Sequence, residues 1–153
     1  MDAAEPSANS ISASNLYRLS SLLDDTSYAQ TAKETVLAFE AEVEQWPFCF
    51  GGMLASVVMG ALGVKGVVLV GGNAGNGDGK QSQVLRKVRG ETGVGRTVCW
   101  VGRGKEKGKG KKGVEDGWMK GRNKLVMELE GKEEGMRVMV CEGGRCREGV
   151  EFL

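Results

Sequence analysis

Two cysteines near the end of the chain have a spacing that could support redox chemistry. Cys141 and Cys146 are separated by Glu-Gly-Gly-Arg, and the glycine pair allows a tight turn that would bring the two thiols together. Arg145 could then favour a thiolate. The alternative is that both cysteines are ordinary small residues at the end of a strand, and we favour it because the spacing is not C-x-x-C.

The other candidate ligands and bases are sparse. Histidine is absent, which removes the commonest general base and metal ligand. The four cysteines lack the paired C-x-x-C spacing of a zinc site, and no secretion signal is visible, so we expect reduced thiols in an intracellular, cytoplasmic chain. The sequence predicts no metal, no cofactor and no catalytic residue of its own.

A polar segment near the beginning of the chain could line a binding pocket. Glu5, Ser7 and Asn9 bring a carboxylate, a hydroxyl and an amide to the start of a predicted helix, where they could bind a hydroxyl-rich ligand. The same residue types cap helices and form turns, and their spacing alone favours that structural reading.

Two glycine-rich stretches are candidates for phosphate contacts. The loop 71–80 follows a strand and precedes a helix, but its glycines fit neither the dinucleotide fingerprint nor the P-loop. Residues 102–113 are rich in lysine, with no interleaved aromatic to stack on a base. We therefore predict a flexible connection and a solvated loop, disordered near 102–117, and no nucleic-acid partner.

The elements that position these residues fall into two compositional zones with a boundary near Gly63. Residues 1–63 carry two basic and eight acidic residues and four glycines, whereas residues 64–153 carry nineteen basic and twelve acidic residues and twenty-one glycines. The spacing predicts a helical segment over 1–63 and a small α/β region over 64–153, which is an α+β fold.

Apolar spacing predicts three helices with short connections in the first zone. Leu16, Leu19 and Leu23 form the stripe of the first helix, and a second runs from Thr26 to Trp46 until Pro47 stops it. The third, Phe48 to Leu62, is apolar all round, with Gly63 as its C-cap. It is too short to span a membrane, and it needs more cover than two amphipathic helices provide.

The second zone changes from helical to strand periodicity. We predict a strand over Val67 to Val70, a short helix across Gln83 to Val88 and a strand over Thr97 to Val101, which together make a β-α-β unit. Two further strands are expected, as a hairpin closed around Gly131 to Gly135, over Lys124 to Leu129 and Arg137 to Cys141.

Several segments together resemble the spermatogenesis-associated protein 20 family of thioredoxin-domain-containing proteins. DAAEPSANSISASNLYRL looks like that family's E-P-S-G-N-S…N-L-x-R-L stretch. The helix-helix-strand order ending in GVKGVVLVGG and the closing VMVCEGGRC with its C-x4-C are also similar to the family's C-terminal part.

The resemblance implies a multidomain parent. Full-length members carry a thioredoxin-like domain, then an α/α barrel resembling six-hairpin glycosidases and N-acylglucosamine 2-epimerases, then a short α/β tail. This chain would hold the last barrel helices and the tail, with Glu5, Ser7 and Asn9 near the barrel pocket. Its partners would be the remaining barrel and thioredoxin-like regions of the parent.

Three functional hypotheses follow from the sequence. The first is a non-catalytic C-terminal fragment of such a protein, whose parent is linked to carbohydrate metabolism by analogy of fold. The second is a small interaction module that docks on a helical protein partner. The third is a sugar-binding or epimerising remnant that acts through Glu5 and Asn9.

Overall fold

A computed structural model of the chain has the predicted α+β architecture, with N-terminal helices and a C-terminal strand region. It describes residue 2 and residues 5–71, 79–90, 95–101, 121–123, 127, 137–142 and 145–149. The helices are α1 (Ala8–Leu23), α2 (Thr26–Leu37), α3 (Glu40–Gln45), a 3-10 turn (Pro47–Cys49), α4 (Gly51–Leu62) and α5 (Gly79–Gly90). The strands are β1 (Lys65–Val70), β2 (Arg96–Val101), β3 (Arg137–Glu142) and β4 (Arg145–Glu148). Two compact units result, Met1–Lys65 with Gly93–Thr97, and Gly66–Thr92 with Val98–Leu153.

The first helix begins and ends where the capping residues indicate. Ser7 has an extended backbone, and its hydroxyl accepts a hydrogen bond from the backbone N–H of Ser10, as an N-cap does. Asp24 ends α1 in the left-handed region at φ 53°, and the Asp25 carboxylate accepts from the N–H of Ser27 to cap α2. In the two-residue turn between α1 and α2, the backbone of Asp24 therefore satisfies the end of α1 and the side chain of Asp25 satisfies the start of α2.

The second predicted helix is not continuous, and that prediction is wrong. Helix α2 stops at Leu37, and α3 starts at Glu40 after a turn. The break places the Phe39 ring 6.3 Å from that of Phe50, in a cluster with Ala13 and Met53. Packing has overridden the helical spacing here, although no glycine or proline marks the break.

The third predicted helix begins later than its apolar run suggests. Residues Pro47–Cys49 form a 3-10 turn, and α4 starts at Gly51. The predicted C-cap is confirmed, because Gly63 takes a φ of 82° and its N–H donates to the carbonyl of Met59. A residue with a Cβ would be strained in that conformation.

The second unit is organised around a mixed sheet in the order β2-β1-β3-β4. Strand β1 pairs antiparallel with β3, placing Val68 opposite Met139, and β3 pairs antiparallel with β4. Side chains from α5 pack on one face, and a smaller cluster covers the other. The first cluster comprises Val67, Leu69, Val84, Leu85, Val88, Val138 and Val140, and the second Val68, Val70, Cys99 and Met139.

The structure corrects the predicted elements of the C-terminal region. Met127 is helical and donates to the carbonyl of Asn123, so the strand predicted over Lys124 to Leu129 is wrong there, and its other residues lie outside the described part. The hairpin partner of β3 is instead β4, which the sequence analysis missed. The predicted loop at 102–117 lies outside the described residues. Within the described part, no helix has the length and apolarity needed to cross a membrane.

Candidate functional site

The polar centre of the helical unit is the carboxylate of Asp2. Its Oδ1 accepts from the N–H of Ser7 at 2.6 Å and from the hydroxyl of Ser10 at 2.7 Å. Its Oδ2 accepts from the N–H groups of Gly52 and Met53 at 2.8 and 3.3 Å. One side chain therefore satisfies donors at the start of both α1 and α4, where the first N–H groups have no partner inside the helix.

These donors decide the protonation state of Asp2. Burial alone would raise the pKa of its carboxyl, but the hydrogen bonds from Ser7, Ser10 and Gly52 outweigh burial and hold the pKa well below its usual range. The carboxylate is thus a half-buried anion at two helix N-termini. No local pattern predicts this role, because Gly52 and Met53 lie fifty residues further along the chain.

The predicted substrate-binding residues do not form one cluster around that centre. Ser7 is half-buried and caps α1, and its hydroxyl lies 2.9 Å from that of Ser10. Glu5 and Asn9 are exposed, and neither takes part in the hydrogen bonds to Asp2. Ser7 therefore has the structural role that spacing favoured, while a sugar-binding role for Glu5 and Asn9 stays a prediction.

The inward face of α4 is lined by small residues. Gly52, Ser56 and Gly60 recur every four residues and so share one side of the helix. Opposite them are Ser10, Ala13 and Tyr17 of α1, and the Ser56 hydroxyl donates to the carbonyl of Ser10 at 3.4 Å. A Cβ at Gly60 would lie 2.6 Å from the Tyr17 hydroxyl oxygen. Small side chains thus let α1 and α4 approach closely.

The outward face of α4 carries larger apolar side chains. Leu54, Val57 and Val58 are 37%, 36% and 38% exposed, and Leu62 is 76% exposed. Their spacing of three and four residues places them together, opposite the small residues. We call these four residues the outer face of α4. Trp46 and Phe48, exposed and stacked edge to face at 6.0 Å, lie just before the helix in sequence.

The structure joins Cys141 and Cys146 in a disulfide. They are directly opposite in the β3–β4 register, one residue pair away from the connection at 143–144. The expectation of reduced thiols, and the favoured reading of two unconnected residues, are therefore wrong for this pair. The physical reason is that a two-residue connection puts both side chains on the same face of the hairpin.

The other two cysteines are half-buried thiols. Cys99 packs in the smaller cluster on the sheet, and burial raises the pKa of its thiol. Within the described ranges, no group of three or more acidic or cysteine side chains is arranged to hold a metal ion. The glycine-rich segment 72–78 and the lysine-rich run 102–113 lie outside the described residues, so the predictions made for them stay predictions.

The chain was compared with protein families, curated proteins and solved structures, and none of them matches it. The resemblance to the spermatogenesis-associated protein 20 family stays a prediction from the sequence motifs. Two surface features of the chain remain without a role in the fold: the outer face of α4 and the Cys141–Cys146 disulfide.

Proposed function

We propose that this chain has no catalysis of its own and is the C-terminal part of a protein resembling the spermatogenesis-associated protein 20 family. In that parent, the outer face of α4 would pack against further helices of an α/α barrel. The observation that carries the proposal is the exposure of Leu54, Val57, Val58 and Leu62 on one side of a single helix.

The distribution of apolar side chains around α4 supports this proposal. A helix that used only α1 and α2 for cover would bury all of its large apolar side chains. Here Met53, Ser56 and Met59 are the buried residues, while Leu54 and Leu62 remain exposed. Each Å² of apolar surface removed from water stabilises by about 25 cal/mol, so a contiguous outer face favours a helical neighbour.

The first experiment tests whether the outer face binds apolar surface. We expect the purified chain to bind an apolar fluorescent dye and to self-associate in sedimentation experiments. The double variant Leu54→Gln/Val58→Gln should lose most of both signals, because it places two polar groups in the centre of the face. The matched control is Ile11→Gln, an equally simple change at an exposed apolar residue of α1.

Two results would overturn the assignment of this surface. The first is an unsubstituted chain that is monomeric and binds no dye. The second is a loss of signal in Ile11→Gln as large as that in the double variant. Such a result would leave α4 as an unusual but uninvolved helix. The free energy of unfolding of the double variant should lie within about 0.5 kcal/mol of that of the unsubstituted chain, since both residues are partly exposed.

The family assignment needs a separate test. The reading frame upstream of Met1 should encode further helical hairpins and a thioredoxin-like domain. That upstream segment, expressed separately, should bind the chain and fail to bind Leu54→Gln/Val58→Gln. An upstream region without helical hairpins would refute the family proposal. A carbohydrate-linked role of the parent depends on the same assignment, and its cytoplasmic location is a separate proposal.

The second candidate is an interaction module that docks on a separate helical protein. The same outer face favours it, because an exposed apolar helix face fits any groove between two helices. It predicts a stoichiometric partner encoded elsewhere, with binding that Leu54→Gln/Val58→Gln abolishes. Binding to the upstream segment would instead favour the first proposal.

A further inference from the structure

The Cys141–Cys146 disulfide lies on a strand pair that solvent can reach. Cys146 is exposed, as are the other residues of β4, whereas Cys141 on β3 is half-buried. Among the described strands, β4 stands at one end of the sheet. The two sulfurs therefore differ in access, and an attacking thiol reaches Cys146 more easily than Cys141.

The hairpin does not depend on the bond for its alignment. Strand β3 is paired along its length with β1, and four residue pairs connect β3 to β4. The disulfide closes a loop between residues only five apart, and such a short loop constrains the unfolded chain less than a long one. After reduction, the two thiols would still be opposite each other in the same register.

The charges next to Cys146 do not select a charged reactant. Arg145 and Arg147 flank it in sequence and are exposed, but successive side chains of a strand point to opposite faces, so both lie on the face away from the disulfide. The charged residues of these two strands on the face of the disulfide are Arg137 and Glu148, which form an ion pair at 3.6 Å. An approaching thiol therefore meets balanced charge on that face.

We propose that the Cys141–Cys146 disulfide is a surface site of thiol–disulfide exchange for a small thiol, with Cys146 as the sulfur that is attacked. The structure carries this through the cross-strand position of the pair and the exposure of Cys146. This site is independent of the outer face of α4.

Reduction of the protein disulfide consumes two molecules of the small thiol. The first thiolate bonds to the Cys146 sulfur, the bond to Cys141 breaks, and the Cys141 sulfur leaves with the electron pair and takes up a proton. A second thiolate attacks the small-molecule sulfur of this mixed disulfide and releases the Cys146 thiolate. Two small thiols are oxidised to their disulfide, and the protein disulfide is reduced to two thiols.

Glutathione is a suitable probe, because it is a small thiol that reacts by thiol–disulfide exchange. The full chain would be equilibrated with glutathione and its disulfide at varied ratios, quenched with an alkylating agent and mapped by mass spectrometry. We expect Cys141 and Cys146 to change together as one two-electron couple under native conditions. Cys49 and Cys99 provide internal comparisons, since both are half-buried and should react more slowly.

Two single variants distinguish the sulfurs. In Cys141→Ser, Cys146 should form a mixed disulfide with oxidised glutathione at least about tenfold faster than Cys141 does in Cys146→Ser. A double variant, Arg145→Gln/Arg147→Gln, is the control: it should change the rate of exchange with glutathione by less than about twofold, because both arginines lie on the other face of the hairpin.

Three outcomes would overturn the proposal. The first is a disulfide that millimolar glutathione reduces only after the chain is denatured. The second is equal reactivity of the two single variants. The third is faster modification of Cys49 or Cys99 than of Cys146 in the native chain. The circular dichroism spectrum of each variant should match that of the unsubstituted chain, which separates these outcomes from a failure to fold.

Discussion

The helical unit and the sheet unit bury different kinds of side chain. Between α1 and α4 small and polar residues such as Ser10, Ala13 and Ser56 are almost fully buried beside Met53 and Met59. Between the sheet and α5 the buried residues are aliphatic, with Val67, Leu69 and Val88 at the centre. The first unit therefore depends on small residues and hydrogen bonds as well as on apolar burial, and the second depends on the volume of its side chains.

This difference predicts opposite sensitivities. Adding atoms should damage the helical unit, because a Cβ at Gly52 or Gly60 would meet the side chain of Ser10 or Tyr17 on α1. Removing atoms should damage the sheet unit, because its stability comes from apolar area and close packing.

The largest effect is expected from Leu69→Ala. Leu69 is 1% exposed in the centre of the sheet, so its truncation leaves a cavity as well as losing apolar burial. We expect a loss of about 2–5 kcal/mol in the free energy of unfolding, measured by urea denaturation. The control is Val98→Ala, at a half-exposed strand position, which should cost less than about 1 kcal/mol. Similar losses for both would show that volume is not what stabilises the sheet.

The next effect is expected from adding a single methyl group in Gly60→Ala. The new Cβ would lie 2.6 Å from the hydroxyl oxygen of the buried Tyr17, so α1 and α4 must separate or the ring must move. We expect a loss of about 1–3 kcal/mol in thermal or urea unfolding. Gly51→Ala is the matched control on the same helix, since nothing lies within 4 Å of its added Cβ. It should be neutral or stabilising, because alanine favours helix. Equal losses would contradict close approach as the cause.

A third effect links the helical unit to pH through Asp2. Asp2→Asn should destabilise the chain at neutral pH by about 1–2 kcal/mol, because the charged acceptor of several hydrogen bonds is lost. Since the pKa of Asp2 is lowered in the folded chain, its contribution is present above its ordinary value of 3.8 and is lost as the pH falls from there toward the folded pKa. Unfolding measured between neutral pH and pH 3 should therefore show a decline that Asp2→Asn reduces.

Glu5→Gln is the control for that experiment, since Glu5 is a nearby exposed carboxylate without a hydrogen bond to the Asp2 centre. The free energy of unfolding of Glu5→Gln, and its dependence on pH, should match those of the unsubstituted chain. The same variant bears on the sugar-binding hypothesis: an unchanged affinity for any sugar that the chain binds would remove Glu5 from that role. A pH profile unaltered by Asp2→Asn would exclude Asp2 as the source of the acid sensitivity.

Local signals in the sequence correctly predicted the elements that depend on them. Ser7, Asp25 and Gly63 mark helix ends through their own backbone or side-chain chemistry, and β-branched residues mark β1. The break between α2 and α3 and the position of Asp2 could not be predicted, because both depend on contacts with α4 far along the chain. The every-fourth small residues of α4 were readable, but a helix that is apolar all round does not show which side faces inward.

The cysteine pair shows the same division between local and distant information. Its spacing predicts that a glycine turn could bring the thiols together, and the cross-strand register confirms the approach. Whether the two thiols stay separate or form a bond depends on the register between β3 and β4. The sequence does not predict that register, because β4 is short and exposed and lacks the apolar alternation that identifies a strand.

The smallest effect is expected at the ion pair between Arg137 and Glu148. The two charged groups are 3.6 Å apart, and their side chains are 34% and 56% exposed, so water and salt screen the attraction. We expect Glu148→Gln to change the free energy of unfolding by less than about 0.5 kcal/mol, and by less still at high salt. Glu142→Gln, on the neighbouring strand, provides the comparison for loss of charge without this contact. A loss above about 1 kcal/mol that is specific to Glu148→Gln would mean that the sheet unit depends on surface charge as well as on apolar volume. A negligible loss would mean that the stability of the sheet unit comes from its aliphatic core. Strand β4 would then position Cys146 opposite Cys141 but add little to the free energy of unfolding.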